Sequence, residues 1–154
     1  MGYSPKKVRL PWEDQFNTPS VDDLRRHYPK QLGNLLETAR EHLQAFEGVR
    51  EELAWQGVPW RWTLTYSCPD DPTRAWAYLV PDPLRPKIAL PLTEEMVEAL
   101  PMRRLKKFVR DGVVAARRVN AVYWATWEIT NRSQLEEILE LARRKHQYIM
   151  AHTN

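Results

Sequence analysis

The chain has little cysteine, little glycine and no long apolar run. With one cysteine, Cys68, in 154 residues, an internal disulfide and a multi-cysteine zinc site are both excluded, so packing must hold the fold, which fits a reducing compartment. Cys68 sits among turn formers with no base beside it in sequence, and reads as an incidental thiol. Five glycines leave little from which to build a phosphate cradle. Neither a glycine-rich loop, an HExxH pair nor a Ser-His-Asp order is present, so catalysis is not expected and no cofactor is implied. No stretch approaches the roughly 20 apolar residues of a membrane span, and the N-terminus lacks a signal-peptide core. The expectation is a cytoplasmic protein without a membrane partner. Internal repeats and low-complexity segments are also lacking.

What the chain has in quantity is tryptophan. Four of its seven fall within residues 55–76, where the sequence reads as a small sheet. Trp62, Leu64 and Tyr66 alternate with Arg61, Thr63 and Thr65, the period-two pattern of a half-buried strand. That strand must stop at Ser67-Cys68-Pro69-Asp70-Asp71-Pro72, where two prolines remove ladder donors and the aspartates favour turns. Strands resume at residues 74–80 and 87–92, on either side of Pro81-Asp82-Pro83, and residues 49–55 offer another upstream. Such short breaks imply antiparallel neighbours, because a parallel crossover needs about a dozen residues or more.

Residues 1–18, with Pro5, Pro11, Lys6-Lys7 and no periodicity, read as an irregular arm that Trp12 and Phe16 are available to pin; residues 19–154 read as a single domain. Ser20 and Asp23 approach a capping box ahead of a short helix cut at Pro29. Leu32, Leu35, Leu36, Ala39, Leu43 and Phe46 form the stripe of a longer helix that Gly48 can stop. Thr93 caps a turn of helix, and Leu105, Phe108, Val109, Val113 and Ala116 predict a second long helix started at Pro101, with Gly112 as its weak point. The run Val113-Val114-Ala115-Ala116 equally suits the start of a strand. Tyr123, Ala125, Trp127 and Ile129 alternate as a strand. A capping box of Ser133 and Glu136 then opens a final helix with Leu135, Ile138, Leu139, Ala142 and Ile149 inward. Its Arg143-Arg144-Lys145 run reads as basic residues favoured by the helix dipole. The fold class is α+β, a curved, mainly antiparallel sheet of about four to five strands covered by helices.

Three groups of residues are candidates for function. Trp62, Trp76 and Trp127 are explained as core, whereas Trp60 and Trp124 are not. If helices cover one face of the sheet, Arg61, Thr63, Thr65, Lys87 and Trp124 can line the open face as a concave pocket with a few polar groups. The second group is electrostatic. Residues 101–118 carry seven basic residues against one acid, a net +6 where the whole chain carries +3, which leaves −3 for the rest. On a helix over 103–118, Arg103, Lys106, Lys107, Arg110 and Arg117 would share a face able to meet phosphates. The third is Glu37, Glu41 and His42, a weak metal-binding set because His42 follows Glu41 directly and leaves its helix face. His146, beside the apolar stripe of the last helix, reads as a packed or dipole-favoured side chain.

The run Trp55-Gln56-Gly57-Val58-Pro59, followed by Lys87-Ile88-Ala89-Leu90-Pro91-Leu92, Leu100-Pro101, Leu105-Lys106-Lys107 and Val109, resembles the YdhG-like domains of small bacterial proteins. Residues from Trp124 through Glu128 to Lys145 look like a neighbouring uncharacterised family that ends in a strand and a helix closing on a lysine. The first resemblance implies a helical N-terminal half, a tight Trp-x-Gly-x-Pro turn, and a frataxin-like fold with a curved sheet. Some YdhG-like proteins are described as iron chaperones, but here the acids are dispersed as Asp22-Asp23, Glu51-Glu52, Asp70-Asp71 and Glu94-Glu95. The functional expectation is a non-enzymatic domain that binds a small molecule or protein partner through its open sheet face. A nucleic-acid-associated protein is the second expectation and a metal-handling protein the third.

Overall fold

A computed structural model describes residues 10–153; Pro5 and Lys6-Lys7 of the expected arm lie outside the described residues. The rest of the arm forms a 3-10 turn, Pro11–Glu13, which buries Trp12. Phe16 pins nothing and is 87% exposed. Helix α1 (Val21–Arg25) begins at Ser20 with the expected reciprocal capping box to Asp23. Helix α2 (Lys30–Gln44) turns Leu35, Leu36, Ala39 and Leu43 inward, and Gly48 follows it at a left-handed φ of 80°.

The strands are β1 (Arg50–Trp55), β2 (Trp62–Ser67), β3 (Ala77–Val80) and β4 (Lys87–Thr93), then β5 (Arg117–Val119) and β6 (Val122–Glu128). They form one sheet of order β1-β2-β3-β4-β6-β5 in which every neighbouring pair is antiparallel. Gly57, in the β1–β2 turn, takes the positive φ that its Trp-x-Gly-x-Pro setting implies, at 77°. The sixth strand exceeds the expected count. It exists because Asn120 and Ala121, both left-handed, close a two-residue hairpin between β5 and β6.

One helix expectation is corrected. Instead of one helix over residues 103–118, the chain forms helix α3 (Glu94–Ala99), a 3-10 turn at Met102–Arg104, helix α4 (Lys107–Val114) and then β5. Helix α4 ends on β-branched Val113-Val114, and from Arg117 the chain gains a ladder with β6 instead. The final helix, α5 (Arg132–Ala151), is capped by Asn131, whose side chain accepts from the Gln134 amide, rather than by Ser133. Asparagine is at least as good an N-cap as serine.

Helices α2, α4 and α5 pack on one face of the sheet. Their Leu36, Val109, Val113, Ile138 and Ala142 join Leu64, Leu79, Ile88, Leu90 and Trp127 in one core. Arg40 of α2 grips Glu51 at 2.9 Å, and Glu51 also accepts from the Tyr66 hydroxyl at 2.8 Å, which ties the helix to the sheet edge. A second, smaller cluster gathers Trp12, Leu24, Trp62 and Val80 near the start of β2.

Gly112 is a contact point rather than a weak point. A Cβ placed there would lie 2.0 Å from the Trp127 indole nitrogen and 2.4 Å from the adjacent ring carbon. Gly112→Ala would gain about 1 kcal/mol of helix propensity, yet overpacking a buried tryptophan typically costs about 1–3 kcal/mol or more. We expect a net loss of stability in urea titration. A stabilised variant would mean that α4 and Trp127 separate at no cost.

Candidate binding face and a buried lysine

Strand alternation and register decide what the uncovered face presents. Tyr78 stands opposite Thr65 on β2 and Ala89 on β4; Pro91 stands opposite Trp124 and Ala89 opposite Thr126. These residues therefore share the face opposite the helices. Ala89 and Pro91 form a buried floor. Above it Trp60 reaches in from the β1–β2 connection, its ring centroid 5.0 Å from Tyr78 and 6.1 Å from Trp124, while Tyr78 and Trp124 are 5.7 Å apart. All three rings are partly exposed, and burial raises the Tyr78 hydroxyl pKa.

Of the five residues expected on this face, register places Thr63, Thr65, Lys87 and Trp124 there. Arg61 is not among them. Its backbone is left-handed, with φ 59°, and its guanidinium turns to Glu13 at 3.0 Å and lies over the Trp12 ring. Three of the remaining four have polar groups already engaged. The buried Thr63 hydroxyl donates to the Trp60 carbonyl, Thr65 accepts from Gln56, and Lys87 pairs with Asp82 at 3.4 Å. What the face offers a ligand is therefore mainly the three rings. Tyr78 was not singled out from the sequence. Alternation assigns it to the face of Trp76, but Trp76 precedes the strand and turns into the core, fully buried.

The basic residues do not share a helix face. Arg103 lies in the 3-10 turn, Lys106 before α4, Lys107 and Arg110 in α4, and Arg117 in β5. Lys107 is paired with Asp111 at 2.8 Å. Arg117 is exposed and stands opposite Trp124 in the β5–β6 register, on the aromatic face.

The residue that the sequence reading misplaced is Lys145. Expected among basic residues favoured by the helix dipole, it is buried, with its side chain and that of Asp71 fully out of solvent and 3.4 Å apart. The ammonium donates to the Thr73 hydroxyl at 3.1 Å, to the Trp76 carbonyl at 2.8 Å and to the carbonyls of Ala75 and Pro91. Continuing the β3–β4 register brings Trp76 opposite Pro91, which has no amide hydrogen to give a neighbour. Lys145 gives the Trp76 carbonyl the donor that Pro91 opposite cannot. It also fastens residues 68–76, where Asp70 and Arg74 hold left-handed backbones and Asp71 accepts from the amide and hydroxyl of Thr73. Burial pulls the Lys145 pKa down to about 8 while Asp71 resists the fall. Every donor is spent inside the fold, so the group acts as a clamp rather than as a nucleophile.

Neither a family model nor a curated protein matches this chain. Cys68 is buried, and desolvation raises its thiol pKa, with Asp71 adding to the rise, which makes it a poor nucleophile. Among the described residues no group of three or more His, Cys, Asp or Glu is gathered closely enough to hold a metal ion. His42 is turned back to the Thr38 carbonyl of its own helix. His146 is packed against Phe46 and Trp76 and bonded to the Glu47 carbonyl. No helix among the described residues is long and apolar enough to cross a membrane.

Proposed function

We propose that the chain is a non-enzymatic binding domain whose site is the open face of the sheet. Its ligand is a small molecule or a segment of a partner protein that lays a flat apolar group on Trp60, Tyr78 and Trp124. The observation behind this reading is the grouping of three partly exposed aromatic rings on the face that α2, α4 and α5 leave bare. Rigid amphipathic rings supply large contact area at low entropic cost, and this is why they are enriched at binding hot spots. The free, buried Cys68 supports a reducing, cytoplasmic setting, and the likeness to YdhG-like domains supports fold rather than activity.

The test is a titration with indole and with an indole-bearing peptide, followed through the side-chain NH signals of Trp60 and Trp124. Saturable shifts are expected at both. Trp124→Ala should weaken binding by about 1–3 kcal/mol, the worth of one stacked ring, while leaving the cooperative melt in place. Absence of saturable shifts with either probe overturns the reading.

A second reading, nucleic acid, rests on Arg117 lying opposite Trp124 and on Arg103, Arg104 and Lys106, which are exposed and have no ion pair among the described residues. Stacking on the rings with phosphates on the arginines is how single strands are held without sequence preference. It predicts that a short single-stranded oligonucleotide binds at low salt. In Arg117→Gln the slope of log affinity against log salt should then flatten by about 0.7 for a lost phosphate contact. No binding at low salt removes it.

A further inference from the structure

We propose that the cleft between the α3–α4 connection and the last turns of α5 binds a small amphiphilic anion, a carboxylate with an apolar body. This site is separate from the aromatic face and does not depend on it. The cleft encloses about 270 Å³, with Met96, Leu100 and Pro101 as its apolar wall and Arg144, Gln147 and His152 on the α5 side. A cleft of this kind, mostly apolar with a few polar groups at one side, has the general make-up of a small-molecule site.

Charge decides the class of ligand. The ionisable residues lining the cleft are Arg144, Lys145, Tyr148 and His152, and none is acidic. Lys145 is already neutralised by Asp71. Arg144 is not matched in the same way. Its nearest carboxylate, Glu140, lies 3.6 Å away and is gripped at both oxygens by Arg143. The two arginines thus face one acid, and Arg144 makes no hydrogen bond among the described residues, its buried Nε standing off Glu140 at 3.6 Å. Its terminal nitrogens also make no hydrogen bond among the described residues, and a guanidinium fork matches a planar carboxylate at two points. His152 adds wall area rather than a second polar contact. Its Nδ1 donates to the Tyr148 carbonyl and its ring lies flat on Tyr148 at 3.9 Å, which fixes it at the mouth of the cleft. The hydrocarbon part of the ligand would then displace water from Met96, Leu100 and Pro101.

The experiment titrates the full chain with hexanoate, with benzoate and with the neutral isostere hexanamide, followed by backbone amide NMR shifts. The proposal expects saturable shifts confined to residues 92–101 and 144–152 with at least one carboxylate, and about tenfold or weaker binding of hexanamide. Arg144→Gln should lose a similar factor with an unchanged melt. Ala99→Trp, which fills the cleft from an exposed position, should abolish the shifts. Equal binding of hexanoate and hexanamide would overturn the proposal, as would full carboxylate affinity in Arg144→Gln or no saturable shift with either carboxylate. If inorganic phosphate displaces the carboxylates at equal concentration, the site reads charge alone and the amphiphilic class is wrong.

Discussion

Replacing Lys145 by alanine is expected to destabilise the fold by about 3–5 kcal/mol, the range for removing one partner of a buried ion pair. The cause is what stays behind. Asp71 would remain fully buried, with an oxygen that has no hydrogen-bond partner even in the intact protein, and the carbonyls of Ala75, Trp76 and Pro91 would lose their shared donor. Lys145→Met with Asp71→Leu should recover much of the loss, because apolar groups of similar volume often replace buried ion pairs at little cost. Urea titrations of the two single variants and the double variant give the coupling directly. A single-variant loss below about 1 kcal/mol would show that residues 68–76 are held by other contacts.

The same lysine makes the comparison sensitive to pH. Its folded pKa of about 8 lies below its ordinary value of 10.5, so between those values the unfolded chain binds the extra proton. Stability should therefore rise as pH goes from 8 towards 10, by up to roughly 3 kcal/mol. Cys68, whose thiol burial raises, offsets part of this rise above about pH 9, where the unfolded thiol ionises, and Tyr28 and Tyr66, whose hydroxyls burial pushes well above their usual range, reverse the slope above about pH 10, where the unfolded phenols ionise. Lys145→Met should lack the rise from pH 8 to 10 and keep the later fall. Parallel curves for wild type and variant would refute the assignment.

Much of this architecture was legible in residue order. β2 and β6 followed from alternation and β4 from an apolar run after the Pro81-Asp82-Pro83 break, and the shared face of Thr63, Thr65, Lys87 and Trp124 followed from strand parity. What misled was local pattern read without its tertiary setting. Lys145 falls on the inward stripe of α5, spaced three and four residues from Ala142 and Ile149, but a cation that follows two arginines looks solvated. Its reasons to be inside, buried Asp71 and the carbonyls of Ala75, Trp76 and Pro91, all lie far away in sequence. Gly112 looked like a helix defect for the same reason, since the Trp127 ring that requires it lies on another element. Arg61 was placed on the open face by parity, but it lies in a turn whose left-handed backbone breaks the alternation. The basic helix failed because seven charges say nothing about where a ladder with β6 begins.

Trp62→Ala is expected to cost about 3–5 kcal/mol, as large aromatic truncations in cores do. The indole is only 7% exposed and belongs to the small cluster with Trp12, Leu24 and Val80 rather than to the main core. It meets Trp55 edge-on at 5.8 Å, and its NH donates to the Asp14 carbonyl at 2.6 Å. Trp62 thus fastens both the Pro11–Glu13 turn and α1 to the sheet, and its loss leaves a cavity that those short segments cannot close around. Trp62→Phe keeps most of the ring area but loses the hydrogen bond, so its cost should be smaller. Equilibrium unfolding ranks the two variants, and amide exchange in residues 10–28 locates the damage, with protection there falling before protection in β4 and β6. A loss under about 1 kcal/mol for the alanine variant would mean that the turn and α1 are held to the sheet without this ring.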